Sequence, residues 1–547
     1  MVKKSMKKLL VGLALSAGTI SANAETLTTS TNFFQPRAFS ANLAREMLME
    51  GSKHRDSEGW YGEFSATAAY QRSWSQSVET SNDVELANSV NGLGVYPFWS
   101  GTNVMAVGSR LSSGAAAFDV DAYQFGLGNI ATNSSMTLNP IVYQAGADLM
   151  FIVGSSANEP CFFAKIKAPV GVYNINPGLT ETIEPTAVAY PAGALSVATT
   201  SDTVPAAAST MTQAFAGILS GGQSVEGDFT PMQYGLINGD VSTGAKFGDI
   251  EMTAGYRFIS TEDNSFSVAV RAAAPTGGQA TGKYMLEPIF GRGGNWALGG
   301  YVDGHVRLWE GNNENSFVMK IMANAQHLFN SDTVRSYDLT ANGGGSKYLL
   351  VAHYSDDAYQ GQIQNLINFT TLASNSSFGV EGDAVISFAY VARGWSWDLG
   401  YEFWGRSAET LEITGSFNNQ AYAVLGNQDI TLGTSPYTAS NACQPLAQMN
   451  LASAAPITAS SSGPAVNQDD VVLATVAANR VALTDLNVAG AQQNTSLTSK
   501  VFTKVTYEWI DSDYRPHLGV MGEFEISNCN NNALPQWGVS LVGGVSF

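Results

Sequence analysis

The feature that most constrains this chain is a regular alternation of apolar with polar or small residues in eight of its segments. The C-terminal segment "WGVSLVGGVSF" (537–547), which follows these eight, has the same pattern, because Val539, Leu541, Val545 and Phe547 fall on one side of an extended strand. The apolar rows of the eight segments contain no Lys, Arg, Asp or Glu. Such a row needs an apolar environment, which is either a protein core or the hydrocarbon of a membrane.

Two details favour a membrane barrel over a soluble sandwich. Aromatic residues cluster beside the short turns, as Tyr390, Trp395 and Trp397 do, and a membrane interface attracts such residues. Most links from an even-numbered to the next odd-numbered strand are short turns, with 109–118 as the exception, whereas several of the other links are long loops. The strands are predicted near 59–71, 92–108, 119–128, 143–154, 161–170, 247–259, 265–275, 294–308, 316–328, 377–391, 394–406, 499–510, 516–527 and 536–547.

These patterns predict an all-β fold: a transmembrane, antiparallel, up-and-down β-barrel of about 14 strands (a range of about 12–16), with long extracellular loops and short periplasmic turns. Closure would remove the exposed strand edges that a membrane does not tolerate. Composition agrees, because only 13% of the residues are charged, about half the share usual in soluble proteins. After residue 24 no run of apolar residues is long enough for a helical span.

The N-terminus has the features of a secretory signal. Lysines precede a short apolar run, and a small-x-small site predicts cleavage between Ala24 and Glu25. A secretory signal followed by a barrel predicts an integral protein of the cell outer membrane. The chain is accordingly divided into a signal peptide (1–24), an N-terminal periplasmic or plug segment (25–58) and the barrel (59–547).

The N-terminal segment contains one predicted helix, "FSANLAREMLMEG" (39–51). Ser40 is suited to cap its beginning, and Gly51 is suited to end it. Phe39, Leu43 and Met47 belong to an apolar stripe along one side of this helix. Two locations are possible for this helix: it would either plug the barrel or lie at the periplasmic mouth of the barrel.

The row of each strand opposite the apolar row carries many charges. Because so many charges in a dry core would be costly, and because a barrel of this width is not filled by its own side chains, the pattern predicts a hydrated pore. A slight excess of acidic residues predicts a weak preference for cations. The residues predicted to line the lumen are Lys165, Lys167, Glu251, Arg257, Arg271, Asp303, His305, Arg307, Lys320, Glu381, Asp383, Asp398, Glu402, Arg406, Lys504 and Glu508.

Catalytic motifs are not found, and the chain is expected to be neither an enzyme nor a cofactor- or metal-binding protein. Its 27 basic against 46 acidic residues leave a net charge of −19, so nucleic acid is not expected as a partner. Cys443 and Cys529 both fall in predicted extracellular loops, where a disulfide between them is an open alternative. Cys161 would then carry a free thiol.

The strand "WGVSLVGGVSF", with its terminal Phe547 and with Val545 and Leu541 before it, resembles the C-terminal signal of Gram-negative outer-membrane barrels. This resemblance implies recognition by the outer-membrane assembly machinery, with the last strand closing against the first. Two groups within that class are similar to the chain. General porins share its charged lumen and long loops, and the long-chain fatty-acid transporter family shares its size and its N-terminal segment, although the Asn-Pro-Ala start of that family is missing here.

The sequence thus predicts an outer-membrane channel, porin-like, for passive diffusion of small hydrophilic solutes. The alternatives are a transporter of fatty acids or other hydrophobic compounds, and a surface adhesin or structural barrel. The expected partners are the lipid bilayer with its lipopolysaccharide, the assembly machinery and small solutes. A homo-oligomer is neither predicted nor excluded, because an apolar belt is common to monomers and trimers.

Overall fold

The computed structural model describes most of the chain and shows a closed, antiparallel β-barrel. The residues described are 37–51, 59–73, 104–108, 120–121, 127, 134–156, 159–183, 208–218, 229–261, 263–311, 315–341, 345–355, 358–424, 480–527 and 535–547. Twelve strands form the barrel: β1 (Tyr61–Ser73), β2 (Ile141–Gly154), β3 (Cys161–Asn176), β4 (Ile250–Ser260), β5 (Asn264–Ala274), β6 (Ala297–Glu310), β7 (Ser316–Ser336), β8 (Thr371–Ala392), β9 (Trp395–Arg406), β10 (Ser496–Glu508), β11 (His517–Ser527) and β12 (Gln536–Ser546).

The barrel closes through its first strand, which pairs with β12 on one side and with β2 on the other. The terminal residue takes part, since the Phe547 amide donates to the Gly62 carbonyl at 2.8 Å and the Gly62 amide donates to the Phe547 carbonyl at 2.7 Å. Every neighbouring pair of barrel strands is antiparallel, so the up-and-down topology and the closure between the first and last strands are confirmed.

The strand number is twelve, the lower end of the expected range, because two predicted strands are not part of the barrel. Within 92–108 the structure describes only Val104–Gly108, and within 119–128 it describes Val120–Asp121 and residue 127. Both short strands pair in a small sheet outside the barrel. Those two segments have a weak alternation, and an apolar run without a strict period of two fits a packed loop as well as a membrane strand.

The outer surface of the barrel is apolar. On β12, Val539 and Leu541 are 49% and 60% exposed, whereas Ser540 between them is 3% exposed. The same alternation places aromatic residues outward near the short turns, among them Trp395 and Trp397. The predicted outward rows therefore face the membrane, and the turn between β8 and β9 is a tight one, with Arg393 and Gly394 at positive φ.

A folded cap covers the end of the barrel that carries the long loops. One small sheet of the cap comprises Val104–Gly108, Val120–Asp121, Ser134–Leu138 and Leu179–Ile183, and a second comprises Phe229–Thr230, Leu350–Ser355, Ala358–Asn365 and Tyr422–Val424. Short strands that extend the barrel wall are Val241–Ser242, Lys246–Phe247 and Glu409–Ile413, and the helical turns of the cap are Met211–Ala216, Ser346–Tyr348, Ile367–Thr370, Leu483–Asp485 and Val488–Ala491. Within the part of the chain that the structure describes, no helix is long and apolar enough to cross a membrane.

One further helix, α1 (Leu43–Met49), lies inside the barrel and not at its mouth. All seven of its residues are buried, and it contacts strands on several sides of the wall. Its N-cap is Asn42, not Ser40 as predicted, since the Asn42 side chain accepts a hydrogen bond from the Arg45 amide. Its C-cap is Glu50, one residue before the predicted stop at Gly51.

Candidate functional site: a charged plug in the lumen

The sixteen residues predicted to line the lumen lie on the inner side of the barrel wall. Most of them are less than 7% exposed, and the partly exposed ones, such as His305, Arg307 and Lys320, lie toward the short-turn end. In this structure the N-terminal segment lies between these side chains and pairs with several of the wall charges, and the hydrated pore stays a prediction. Whether these side chains contact a solute in transit stays a prediction.

The plug is residues 37–51, and α1 is its centre. A helix of seven residues is too short to be stable alone in water, although its residues, LAREMLM, are good helix formers. The wall supplies the missing stabilisation. Glu402 of β9 accepts hydrogen bonds from the amides of Leu43 at 3.2 Å and Ala44 at 3.3 Å. A carboxylate at this position satisfies helix N–H groups and favours the positive end of the helix dipole.

Two arginines of the plug extend toward acidic residues of the wall. Arg37 pairs with Glu402, with Glu525 at 3.1 Å and with Asp383 at 3.3 Å. Arg45 donates from Nε to Asp148 of β2 at 2.6 Å, and its guanidinium lies 4.0 Å from the centre of a phenyl ring at the start of the plug. Both arginines are buried, so each requires these partners.

The acidic residues of the plug face the other side of the wall. The Glu46 carboxylate accepts hydrogen bonds from Lys165 at 3.3 Å, from Lys167 at 2.9 Å and from Arg271 at 2.5 Å. Glu50 also pairs with Lys165. Burial by itself would raise the pKa of Glu46, but the three cations together hold it well below its ordinary value. The Glu46 carboxylate is therefore ionised while the plug lies in the lumen.

The lumen thus has two walls of opposite charge. We call Lys165, Lys167 and Arg271, on β3 and β5, the positive wall. We call Asp383, Glu402, Glu523 and Glu525, on β8, β9 and β11, the negative wall. These groups of strands lie across the barrel from each other in the strand order. The plug matches both walls, because Arg37 and the helix N-terminus face the negative wall and the glutamates of the plug face the positive wall.

A second ionic contact lies above the plug, where the loop between β5 and β6 enters the barrel. Arg292 of this loop donates to Glu251 at 2.8 Å and to Glu381 at 2.8 Å, and its amide donates to Asp249 at 2.6 Å. Glu251 also pairs with Arg271, which belongs to the positive wall. The loop and the plug are therefore linked through the wall pair of Arg271 with Glu251.

Beyond this layer the cap contains a buried apolar cluster. Phe39 of the plug packs against Phe290 with 5.5 Å between ring centroids, and the two belong to one buried cluster with residues of the cap. Phe215 and Tyr348 of the same cluster pack edge to face at 5.4 Å. Apolar surface thus continues from the plug into the cap.

Sequence reasoning identified the wall charges but missed the plug residues that pair with them, Arg37, Arg45, Glu46 and Glu50. A signal for them existed. Charged residues lie beside an apolar stripe in a helix too short to be stable alone, and the wall contains more charges than neighbouring strands pair with each other. The two together favour an internal partner.

The structure describes only some of the residues of the other predicted sites. Cys161, at the start of β3, is buried and carries a free thiol. Cys443, Cys529, Ala24 and Glu25 lie outside the described residues, so the disulfide and the cleavage site stay predictions. Among the residues that the structure describes, no group of three or more metal-binding side chains is present.

Comparison with known proteins yields similar structures only. No family model matches the chain, and no curated protein matches it. An outer membrane channel from Pseudomonas putida F1 is 9% identical with a TM-score of 0.35, over 91% of this chain and 99% of that one. A Pseudomonas aeruginosa FadL homologue is 8% identical with a TM-score of 0.28, over 94% and 99% of the two chains. The P. putida toluene transporter TodX is 8% identical with a TM-score of 0.29, over 94% and 95%.

Structural similarities with identities and TM-scores this low do not support a conclusion about function. The class of protein follows from this chain's own structure, since a closed barrel with a mainly apolar outer surface is the architecture of outer-membrane proteins. The chain is an integral outer-membrane β-barrel protein, as its C-terminal strand predicts.

Proposed function

We propose that this protein is a gated outer-membrane channel, closed by its own N-terminal segment, that passes small apolar compounds. The observation that supports it most is the buried ionic contact between residues 37–51 and both walls of the lumen. An open porin needs a wide hydrated passage, whereas this passage is filled by a helix and by an inserted loop. Transport therefore requires the plug to move.

The apolar substrate class is supported by the surface that plug movement would uncover. Phe39 packs into a cluster that includes Phe290, Tyr173 and Phe215, and this cluster connects the cap with the upper face of the plug. A hydrated solute would lose its water there and find few polar groups besides tyrosine hydroxyls, whereas an apolar compound would gain by burial. This favours the hydrophobic-compound alternative over passive diffusion of hydrophilic solutes.

Conductance in planar lipid bilayers tests the gating. The purified wild-type protein should show little conductance, and a variant that lacks residues 37–51 should show stable, stepwise opening. A mobility difference between boiled and unboiled samples on gels must accompany both proteins, as evidence that each barrel is closed. Steady wild-type conductance typical of an open pore would contradict the proposal.

Uptake into proteoliposomes tests the substrate class. Naphthalene should accumulate faster with wild-type protein than with empty liposomes, while glucose should not. Phe290→Ala removes part of the apolar cluster and should slow naphthalene uptake, whereas Phe247→Ala, on the exposed outer side of the barrel, serves as the matched control. Equal uptake of glucose and naphthalene would support the hydrophilic diffusion channel instead.

A further inference from the structure

A cavity lies below the plug, at the short-turn end of the barrel. It has a volume of about 380 Å³ and is lined on one side by Met47 and Leu48 of α1 and on another by Met322 of β7. Five lysine and arginine side chains line it against three carboxylates, although the whole chain has a net charge of −19. The cavity is therefore amphipathic and locally basic, and its volume is in the range of about 300–1,000 Å³ usual for small-molecule pockets.

His517, the first residue of β11, is a buried polar group that lines this cavity. It is 3% exposed. The Met49 backbone lies beside the ring, but no hydrogen bond of normal geometry is made by either ring nitrogen. Buried polar groups almost always have partners, so a side chain of this kind at a cavity wall is a candidate ligand contact.

Lys504 of β10 provides a cation at the same cavity. Its Nζ donates to the Met47 carbonyl of the plug at 2.9 Å, and the nearest carboxylate oxygen, on Asp398, is 3.7 Å away. The shortest contact of this buried ammonium is therefore with a neutral acceptor. A carboxylate is a stronger acceptor for an ammonium than an amide carbonyl, so an anion in the cavity would compete with the plug for Lys504.

We propose that this cavity binds a small organic anion with an apolar body, which no established property of the chain assigns to it. The carboxylate contacts Lys504 and His517, and the apolar body lies on Met47 and Leu48. Because the anion takes Lys504 from the Met47 carbonyl, its binding loosens the end of α1 and favours opening. This last consequence rests on the proposed gating function, whereas the binding site does not.

Binding of 3-phenylpropionate to the detergent-solubilised full chain, measured by isothermal titration calorimetry, tests the site. We expect saturable binding, and affinities weaker by about tenfold or more for 3-phenylpropanol, which lacks the charge, and for acetate, which lacks the apolar body. Equal binding of 3-phenylpropionate and 3-phenylpropanol would overturn the proposal, because it would indicate partition without recognition of the anion. This comparison uses only wild-type protein and does not depend on the folding of a variant.

Variants then locate the site. Lys504→Gln should weaken 3-phenylpropionate binding by about tenfold, and Lys504→Arg should preserve most of it. Lys283→Gln, the same change at an exposed residue of the cap, should have no effect. An unchanged affinity in Lys504→Gln would place the anion elsewhere and overturn the site. Binding that leaves the bilayer conductance unchanged would overturn only its link to gating.

Discussion

At the scale of single residues, Glu46 joins the plug to three cations of the wall. Its carboxylate is the common partner of Lys165, Lys167 and Arg271, which come from two strands of the positive wall. Removing one partner of a buried ion pair commonly costs about 3–5 kcal/mol, and the cost here is reduced because Lys165 keeps Glu50 while Lys167 and Arg271 keep Glu251. The cost here falls on the closed state, because the three cations can regain water only when the plug leaves.

Glu46→Gln should therefore open the channel. We expect bilayer conductance to approach that of the variant without residues 37–51, while the barrel itself stays folded. Glu412→Gln, which removes an exposed carboxylate of the cap, is the matched control and should behave as wild type. A closed Glu46→Gln channel with an intact barrel would show that the contact does not hold the plug.

The response to pH has a definite sign. Because the pKa of Glu46 is lower in the closed state than its ordinary value of 4.5, this carboxylate stabilises closure above that value. The stabilisation is lost only as the pH falls through the lowered pKa. Conductance of the wild-type protein should thus be as small at pH 5 as at pH 7, and opening near pH 6 would contradict the assignment.

At Gly62 a neighbouring side chain leaves no room for a larger residue. A Cβ at this position would lie 2.5 Å from the Phe547 ring, which packs directly over the glycine. Gly62→Val should displace the terminal ring and reduce the fraction of heat-modifiable, closed barrel on gels. Gly300 is exposed on the same outer surface with no atom near its Cβ position, so Gly300→Val should be tolerated. Equal loss in both variants would point to a general intolerance of valine instead.

At the scale of elements, the last strand joins an assembly role to a structural one. Deleting Phe547 removes both backbone hydrogen bonds with Gly62 and the residue that the C-terminal resemblance assigns to the assembly machinery. We expect a several-fold lower yield of inserted protein in cells, with wild-type conductance for the molecules that do insert. A changed conductance per inserted molecule would show that Phe547 also shapes the pore.

The twelve barrel strands were predictable because each has one lipid-facing row, and lipid enforces a period of two. Segments 92–108 and 119–128 were wrongly included, since their described parts, Val104–Gly108 and Val120–Asp121, pair in a small sheet of the cap. The strands β3, β7 and β8 also extend beyond their predicted ends. Those extensions pair above the membrane, where polar residues are accepted on both faces.

The content of the barrel was not predictable from strand patterns. Alternation indicates which residues face inward, but not what they face there. The pairing of Glu46 with Arg271 joins residues far apart in the sequence, through a helix whose own pattern is equally compatible with a position outside the lumen. The excess of wall charges and the charged residues of a short helix were the two signals that a partner was needed.

At the scale of the whole molecule, two exposed leucines lie in different surroundings. Leu541 is 60% exposed near the middle of β12 and faces lipid, whereas Leu483 is 38% exposed on the water-facing cap. Leu541→Arg should destabilise the protein in phospholipid bilayers by about 2–4 kcal/mol. Leu483→Arg should have little effect. Urea unfolding in bilayers measures both, and equal losses would contradict the placement of the membrane.

The two charged walls have a consequence for the open channel. Once the plug has left, the negative wall would attract cations and the positive wall anions, although Lys500 of β10 and Glu251 of β4 neutralise part of each. Cations and anions would then cross the lumen along different sides of the barrel wall. The reversal potential under a salt gradient should then stay near zero, although the acidic excess of the sequence predicts a preference for cations. The arrangement of the charges, and not their sum, decides which ions pass.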